Sequence, residues 1–319
     1  MQTSYAFIAS YKQRIQALDR TIQNKSRQQQ PQQQQQQHER QNPSRVVEHR
    51  KLVQRFRQFL AEEEKFWSQL VVRMRRSFAL NEATPALIAL GILSEAEENL
   101  DASANGAEPP DSHPGRNHFQ FPPEDASLSL VPTTSPEKEG RLAILTKALV
   151  CLGDIARYRE LYNESGGRPK AGQEDAVPAK RGRTRRGGQA VVDVARPRDY
   201  SKAQQCYEQA RLLMPYDGNP SHQLAIIAFY QKDSFVSLVH YYRALCVRQP
   251  YDTASENLGS VLTRALDRWR NRSRRERDRD KEMPPRDMPP LVRMEIFKDK
   301  VVVLHALWKV GMKDVGRYV

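Results

Sequence analysis

The sequence predicts an all-α fold, an α-solenoid of antiparallel helical hairpins separated by disordered insertions. Three observations point there. One hairpin pattern recurs at a fixed spacing in the second half of the chain. Apolar residues recur three and four apart over long stretches, which puts them on one face of a helix. The residues between those stretches collect in polar, biased tracts that have no apolar face to bury.

Taken in order, residues 4–24 place Phe7, Ile8, Tyr11, Ile15, Leu18 and Ile22 on one helical face, with Lys12, Arg14 and Arg20 elsewhere around it. The glutamine tract at 28–37, broken by Pro31, reads as a disordered insertion. Helical spacing resumes with Val46, Val53, Phe56, Leu60, Trp67, Leu70, Met74 and Phe78. Neither glycine nor proline interrupts this stripe, so a helix of about nine turns is expected. A helix that long needs an antiparallel partner, and residues 4–24 are the local candidate. Residues 84–93 suggest a shorter helical segment, and 101–139 turn to Pro, Ser, Asp and His, the composition of a mobile loop. Residues 140–162 are helical again, with Leu142, Leu145, Leu149, Leu152, Ile155 and Tyr158 inward. A second low-complexity insertion, 165–197, holds the basic run Lys180, Arg181, Arg183, Arg185 and Arg186.

The repeat follows. Ala203, Tyr207, Ala210 and Pro215 have the spacing of the second helix of a tetratricopeptide (TPR) unit and its terminating proline. A shift of about 34 residues, the TPR period, lands on Ser237, Tyr241 and Ala244, with Pro250 one position late. Leu224-Ala225 and Leu258-Gly259 repeat the first-helix signature at the same spacing. Small residues let paired helices approach, while Tyr207 and Tyr241 fill the space between hairpins. After a charged stretch at 272–287, a last apolar helix over 291–312 carries Met294, Phe297, Val301, Leu304 and Trp308.

These elements group as one helical-repeat domain over 1–270, with insertions at about 25–44, 101–139 and 165–197. A charged linker at 271–290 and the start of a further helical region at 291–319 complete the chain. A solenoid end with an uncovered apolar face is unstable, so the chain is expected to continue beyond Val319.

A length of 319 residues allows one or two domains with substantial cores. Only 39% of the residues are hydrophobic and the mean hydropathy is -0.75, so much of the chain is not core. The formal net charge of +13 implies an anionic partner such as nucleic acid, phosphorylated protein or a membrane surface, or a basic tail. No apolar run approaches the roughly 20 residues of a membrane span, and no signal-peptide pattern opens the chain. Cys151, Cys206 and Cys246 are far apart, which reads as reduced thiols in an intracellular protein. There is no glycine-rich phosphate loop, metal-spaced Cys/His cluster or nucleophile elbow. Catalysis and a bound cofactor are therefore not expected.

The informative cluster is Leu152-Gly153-Asp154-Ile155-Ala156-Arg157-Tyr158-Arg159. Arg157 and Arg159 cannot share a face, since helical neighbours are three or four apart. An inward Arg157 beside a tyrosine hydroxyl is a receptor for phosphate, through paired charge-assisted hydrogen bonds from the guanidinium fork. Equally, Arg157 can pair with a carboxylate such as Asp154 or Glu160 and tie helices together. The residues alone leave both open. The basic run at 180–186 suits a nuclear-localisation signal or weak RNA contact, with too few aromatics for base stacking.

Gly153-Asp154-Ile155-Ala156-Arg157-Tyr158, Tyr207-Glu208-Gln209-Ala210, Gly218-Asn219-Pro220-Ser221-His222-Gln223-Leu224-Ala225, Tyr241-Tyr242-Arg243 and residues 250–258 together resemble the Est/SMG family of telomerase-associated and nonsense-mediated decay adaptors. The resemblance implies a 14-3-3-like domain of TPR-like hairpins. It also implies that phosphoserine is bound by Lys12, in Tyr11-Lys12, and by Arg157 with Tyr158 beside it. Where 14-3-3 proteins add a second arginine, this chain has Asp19, with Arg20 next to it. Asn257 matches an asparagine that holds the peptide backbone, and His222 stands where another asparagine is common. The partner so implied is the phosphorylated up-frameshift RNA helicase, with a second SMG-type adaptor as a further candidate. The alternative is a telomerase subunit contacting telomerase RNA or telomeric single-stranded DNA. The reduced thiols and the basic run together lead to an expected location in nucleus and cytoplasm.

Overall fold

The computed structural model describes residues 2–28, 41–94, 131–163, 198–271 and 288–315. Among them the regular structure is helical, as expected, and the only strand-like pairing is an isolated bridge between Asp217 and Gln249. Of the expected insertions, 29–40, 101–130 and 165–197 lie outside the described residues, as do 272–287 of the charged linker. The chain divides into two compact units, Met1–Leu213 and Met214–Val319.

In the first unit, α1 (Gln2–Gln28) runs antiparallel to the long α2 (Gln41–Ser77), the partner its length required. An aromatic ladder ties them: Phe7 meets Phe59, and Tyr11 stacks on Phe56 with ring centroids 5.1 Å apart. Phe56, Leu60 and Val71 are fully buried on the apolar stripe of α2. A 3-10 turn (Asn81–Ala83) and the short α3 (Thr84–Ala89) follow.

The next helix, α4 (Ser135–Leu161), starts five residues before the expected Gly140. Thr134 caps it by accepting the Glu137 N–H at 3.4 Å, and Pro136 sits in the first turn, where a missing N–H leaves no hydrogen bond unmade. Helix α4 packs between α2 and α5 (Ser201–Leu213). Leu145, Leu149, Leu152 and Ile155 are buried as expected, and so are Thr146, Ala148, Val150 and Cys151 around them. It is the central helix of its unit.

In the second unit, α6 (Gly218–Tyr230) and α7 (Ser234–Leu245) form one hairpin, and α8 (Thr253–Arg270) packs on α7. Ser237, Tyr241 and Ala244 are buried on α7, in the positions that Ala203, Tyr207 and Ala210 occupy on α5. Where the repeat substitutes serine for alanine, the Ser237 hydroxyl donates to the Ala225 carbonyl at 2.9 Å, so the polar atom is satisfied. At the start of α6, a side chain on Gly218 would strike the Ala244 carbonyl at 2.3 Å. That glycine lets α6 begin against the end of α7.

The last helix, α9 (Pro290–Val315), packs on α8 and α7 in a different register from the expected stripe. Val302 and Ala306 are buried, whereas Met294, Phe297, Leu304 and Trp308 are each more than half exposed. Of the five residues picked out by spacing, only Val301 packs against the core.

Candidate functional site

The first unit brings Lys12, Arg157 and Tyr158 together. Two turns of α1 carry Tyr5 and Lys12 on one face, and α4 presents Asp154, Arg157 and Tyr158 within little more than one turn. The Lys12 ammonium lies 5.1 Å from the centre of the Tyr158 ring, and the Arg157 guanidinium carbon lies 4.7 Å from the same centre. Both distances are within the range of a cation–π contact.

Arg157 is only 7% exposed, and it is bonded to the buried Asp154: Nη2 donates to Asp154 Oδ1 at 2.8 Å. Of the two readings left open by sequence, the ion pair with Asp154 is therefore present, and Arg157 also touches Tyr158 beside Lys12. Glu160, the other carboxylate considered, instead accepts the Asp199 backbone N–H at 3.0 Å. Arg159 points away, as helical spacing required, and pairs with Glu64.

Two tyrosines complete the cluster. Tyr207 on α5 donates its hydroxyl to Asp154 Oδ1 at 2.7 Å and accepts Arg157 Nε–H at 3.2 Å. Tyr5 on α1 donates to Asp154 Oδ2 at 2.7 Å and lies 3.4 Å from Cys151 Sγ. Asp154 thus receives three donors, which stabilise a buried carboxylate. Desolvation first, and the neighbouring Asp154 charge second, push both phenols up, Tyr207 being fully buried and Tyr5 37% exposed with its hydroxyl against Asp154 and Cys151, so each remains a donor. Burial likewise pushes the Cys151 thiol up to about 11.

The repeat spacing assigns Tyr207 to packing alone and does not single out Tyr5. The available signal was the seven-residue spacing from Tyr5 to Lys12, which puts both on one helical face. Asp19, where 14-3-3 proteins add an arginine, is buried against His49 of α2, with Oδ1 3.2 Å from Nε2. It belongs to the α1–α2 packing. Arg20 is exposed.

His222 and Asn257 lie in the second unit. Asn257 Nδ2 is 2.8 Å from His222 Nε2, and the buried His222 ring packs on Tyr251 with centroids 4.6 Å apart. The two residues expected to hold a peptide backbone contact each other across α6 and α8. Lys180, Arg181, Arg183, Arg185 and Arg186 lie outside the described residues. Among the described residues, no group of histidine, cysteine and acidic side chains is arranged to hold a metal, and no helix is long and apolar enough to cross a membrane.

Comparison with known proteins agrees with the family resemblance. Residues 1–163 match the family model described as telomerase activating protein Est1, and 203–307 match the Est1 DNA/RNA binding domain. The chain is 27% identical over 216 residues to the nonsense-mediated mRNA decay factor SMG7 of Arabidopsis thaliana, covering 68% of this chain and 15% of that protein. It is 28% identical over 150 residues to the telomerase-binding protein EST1A of Danio rerio, covering 46% of this chain and 8% of that protein. SMG7 of Danio rerio is 38% identical over 76 residues, 24% of this chain and 6% of the relative. The chain therefore spans a small part of the length of the relatives it matches.

Proposed function

This chain belongs to the Est1 family, whose model accounts for residues 1–163, and from that premise we propose that it is a phosphopeptide-binding adaptor of nonsense-mediated mRNA decay. The observation that carries the proposal is the placing of Lys12 and Arg157 against one ring, Tyr158, from two neighbouring helices. Lys12 and Arg157 are both cations, and a phosphate dianion is complementary to paired cations of this kind. Lys12 supplies a mobile point charge on a flexible stem, while Arg157 supplies a planar fork already oriented by Asp154 and Tyr207. The relatives named as decay factors support the pathway. Phosphorylated up-frameshift RNA helicase is the partner, a second SMG-type adaptor is a further one, and the role is non-catalytic in nucleus and cytoplasm.

Lys12→Glu tests the site with little disturbance to the core. Affinity for a phosphoserine peptide should fall roughly ten- to a hundredfold, the loss typical of a close charge pair, while the serine peptide binds poorly to either form. Equal binding of the phosphopeptide by parent and variant would overturn the reading. At Arg157, lysine is a better replacement than glutamate, because a carboxylate there would face Asp154 in a buried site.

A second reading rests on the match of 203–307 to a domain described as DNA/RNA binding and on the net charge of +13. Under it the chain is a telomerase-associated subunit that contacts telomerase RNA or telomeric single-stranded DNA. Affinity for single strands should then fall steeply with salt and on deletion of residues 180–186. Insensitivity to both would remove this reading.

A further inference from the structure

Arg157, one cation of the proposed phosphate site, is held by Asp154 and Tyr207. The polarity of the hydrogen bonds around Asp154 follows from chemistry alone. A carboxylate only accepts and the arginine Nε–H only donates. The single hydroxyl proton of Tyr207 must therefore go to Asp154, 2.7 Å away, and its lone pair must take Arg157 Nε–H at 3.2 Å. Arg157 Nη2 donates to the same carboxylate oxygen. The side-on edge of the guanidinium, Nε with Nη2, is thus turned to Tyr207 and Asp154. Gly153 makes this possible, since a side-chain carbon there would lie 2.4 Å from the Tyr207 ring.

The second oxygen of Asp154 belongs to Tyr5. Tyr5 and Lys12 are two turns apart on α1, and Asp154 and Tyr158 are one turn apart on α4. The same pair of faces therefore meets twice, at Tyr5 with Asp154 and at Lys12 with Tyr158. These two contacts differ in stiffness. The lysine reaches its ring on a flexible four-carbon stem and tolerates a shift of its helix, whereas a short bond from a rigid phenol to a carboxylate does not.

We propose that Tyr5 is a positioning residue for phosphate binding: by clamping Asp154 it sets the register of α1 on α4, so that Lys12 and the end-on edge of Arg157 address one phosphate. This rests on the phosphate-binding reading above. Tyr5 itself makes no contact with the ligand, and Asp154 and Tyr207 serve the same end from α4 and α5.

A double-mutant cycle tests the role with the whole 319-residue chain. The probe is a peptide pool with phosphoserine fixed at the centre and randomised flanks, measured against the same pool carrying serine. Tyr5→Phe should weaken phosphopeptide binding about tenfold, on the scale of one charge-assisted hydrogen bond. In a Lys12→Gln background the same change should cost less than about twofold, because the cation it positions is gone. A loss of equal size in both backgrounds, or full affinity in Tyr5→Phe, overturns the positioning role. If Lys12→Gln has no effect in the parent chain, the phosphate reading itself fails.

Discussion

A methyl group at Gly153 would meet the Tyr207 ring at 2.4 Å, closer than any relaxed carbon contact, and Tyr207 is fully buried with no room to retreat. Gly153→Ala should therefore lower stability by about 1–3 kcal/mol, the cost of overpacking, read as a lower denaturant midpoint. It should also displace the hydroxyl that accepts from Arg157, so phosphopeptide affinity should fall with it. A normal midpoint in Gly153→Ala would mean that the ring moves aside without cost. The packing role of Tyr207 was legible in sequence, because small-against-large complementarity is part of the repeat. The partner of Arg157 was not. Asp154 lies three residues before it and Glu160 three after, so helical geometry offers both equally. The choice was made by Tyr5 and Tyr207 converging on Asp154 from other helices, while Glu160 is engaged by the Asp199 backbone.

Helix ends show which parts of an element local chemistry controls. Helix α6 ends at Tyr230; two residues on, Lys232 has a left-handed φ of +69°, and the chain turns into α7 with Asp233 capping the Val236 N–H at 2.8 Å. A left-handed residue with a Cβ costs about 1–2 kcal/mol, and glycine loses some of that advantage to its own entropy. Lys232→Gly should thus raise stability by up to about 1 kcal/mol, measured as a higher melting temperature. No gain would show that the lysine stem contributes packing of its own. At the start of α4, Thr134→Ala should cost about 1 kcal/mol, as expected for removal of a side-chain cap. Periodicity found the helices well where one face is buried, as on α2, and less well on α9. There Met294, Phe297, Leu304 and Trp308 keep strict helical spacing yet face outward, because α8 and α7 receive the smaller Val302 and Ala306. Spacing identifies a stripe; the neighbours decide which stripe is buried.

For the whole molecule, the cysteines report on folding. Cys151 and Cys206 are buried and Cys246 is exposed. The native chain should accept one equivalent of a thiol reagent, at Cys246, and the two others only in denaturant. Rapid labelling of all three in the native state would contradict the packing of α4 and α5. Burial raises Cys151 and Cys206 from 9.0 to about 11 in the folded chain. Between those values the unfolded chain has released protons that the folded one retains. Their contribution to stability is fully present below about pH 9 and is lost as the pH climbs toward about 11, which denaturant unfolding across that window would register. Composition, the helical stretches, the hairpin repeat and the family were readable from the chain, because an apolar stripe and a turn residue are requirements on neighbouring positions. The arrangement around Arg157 was decided only by tertiary structure. Tyr5 and Tyr207 reach Asp154 across separations of 149 and 53 residues, and no local spacing can state which donor will complete a distant acid.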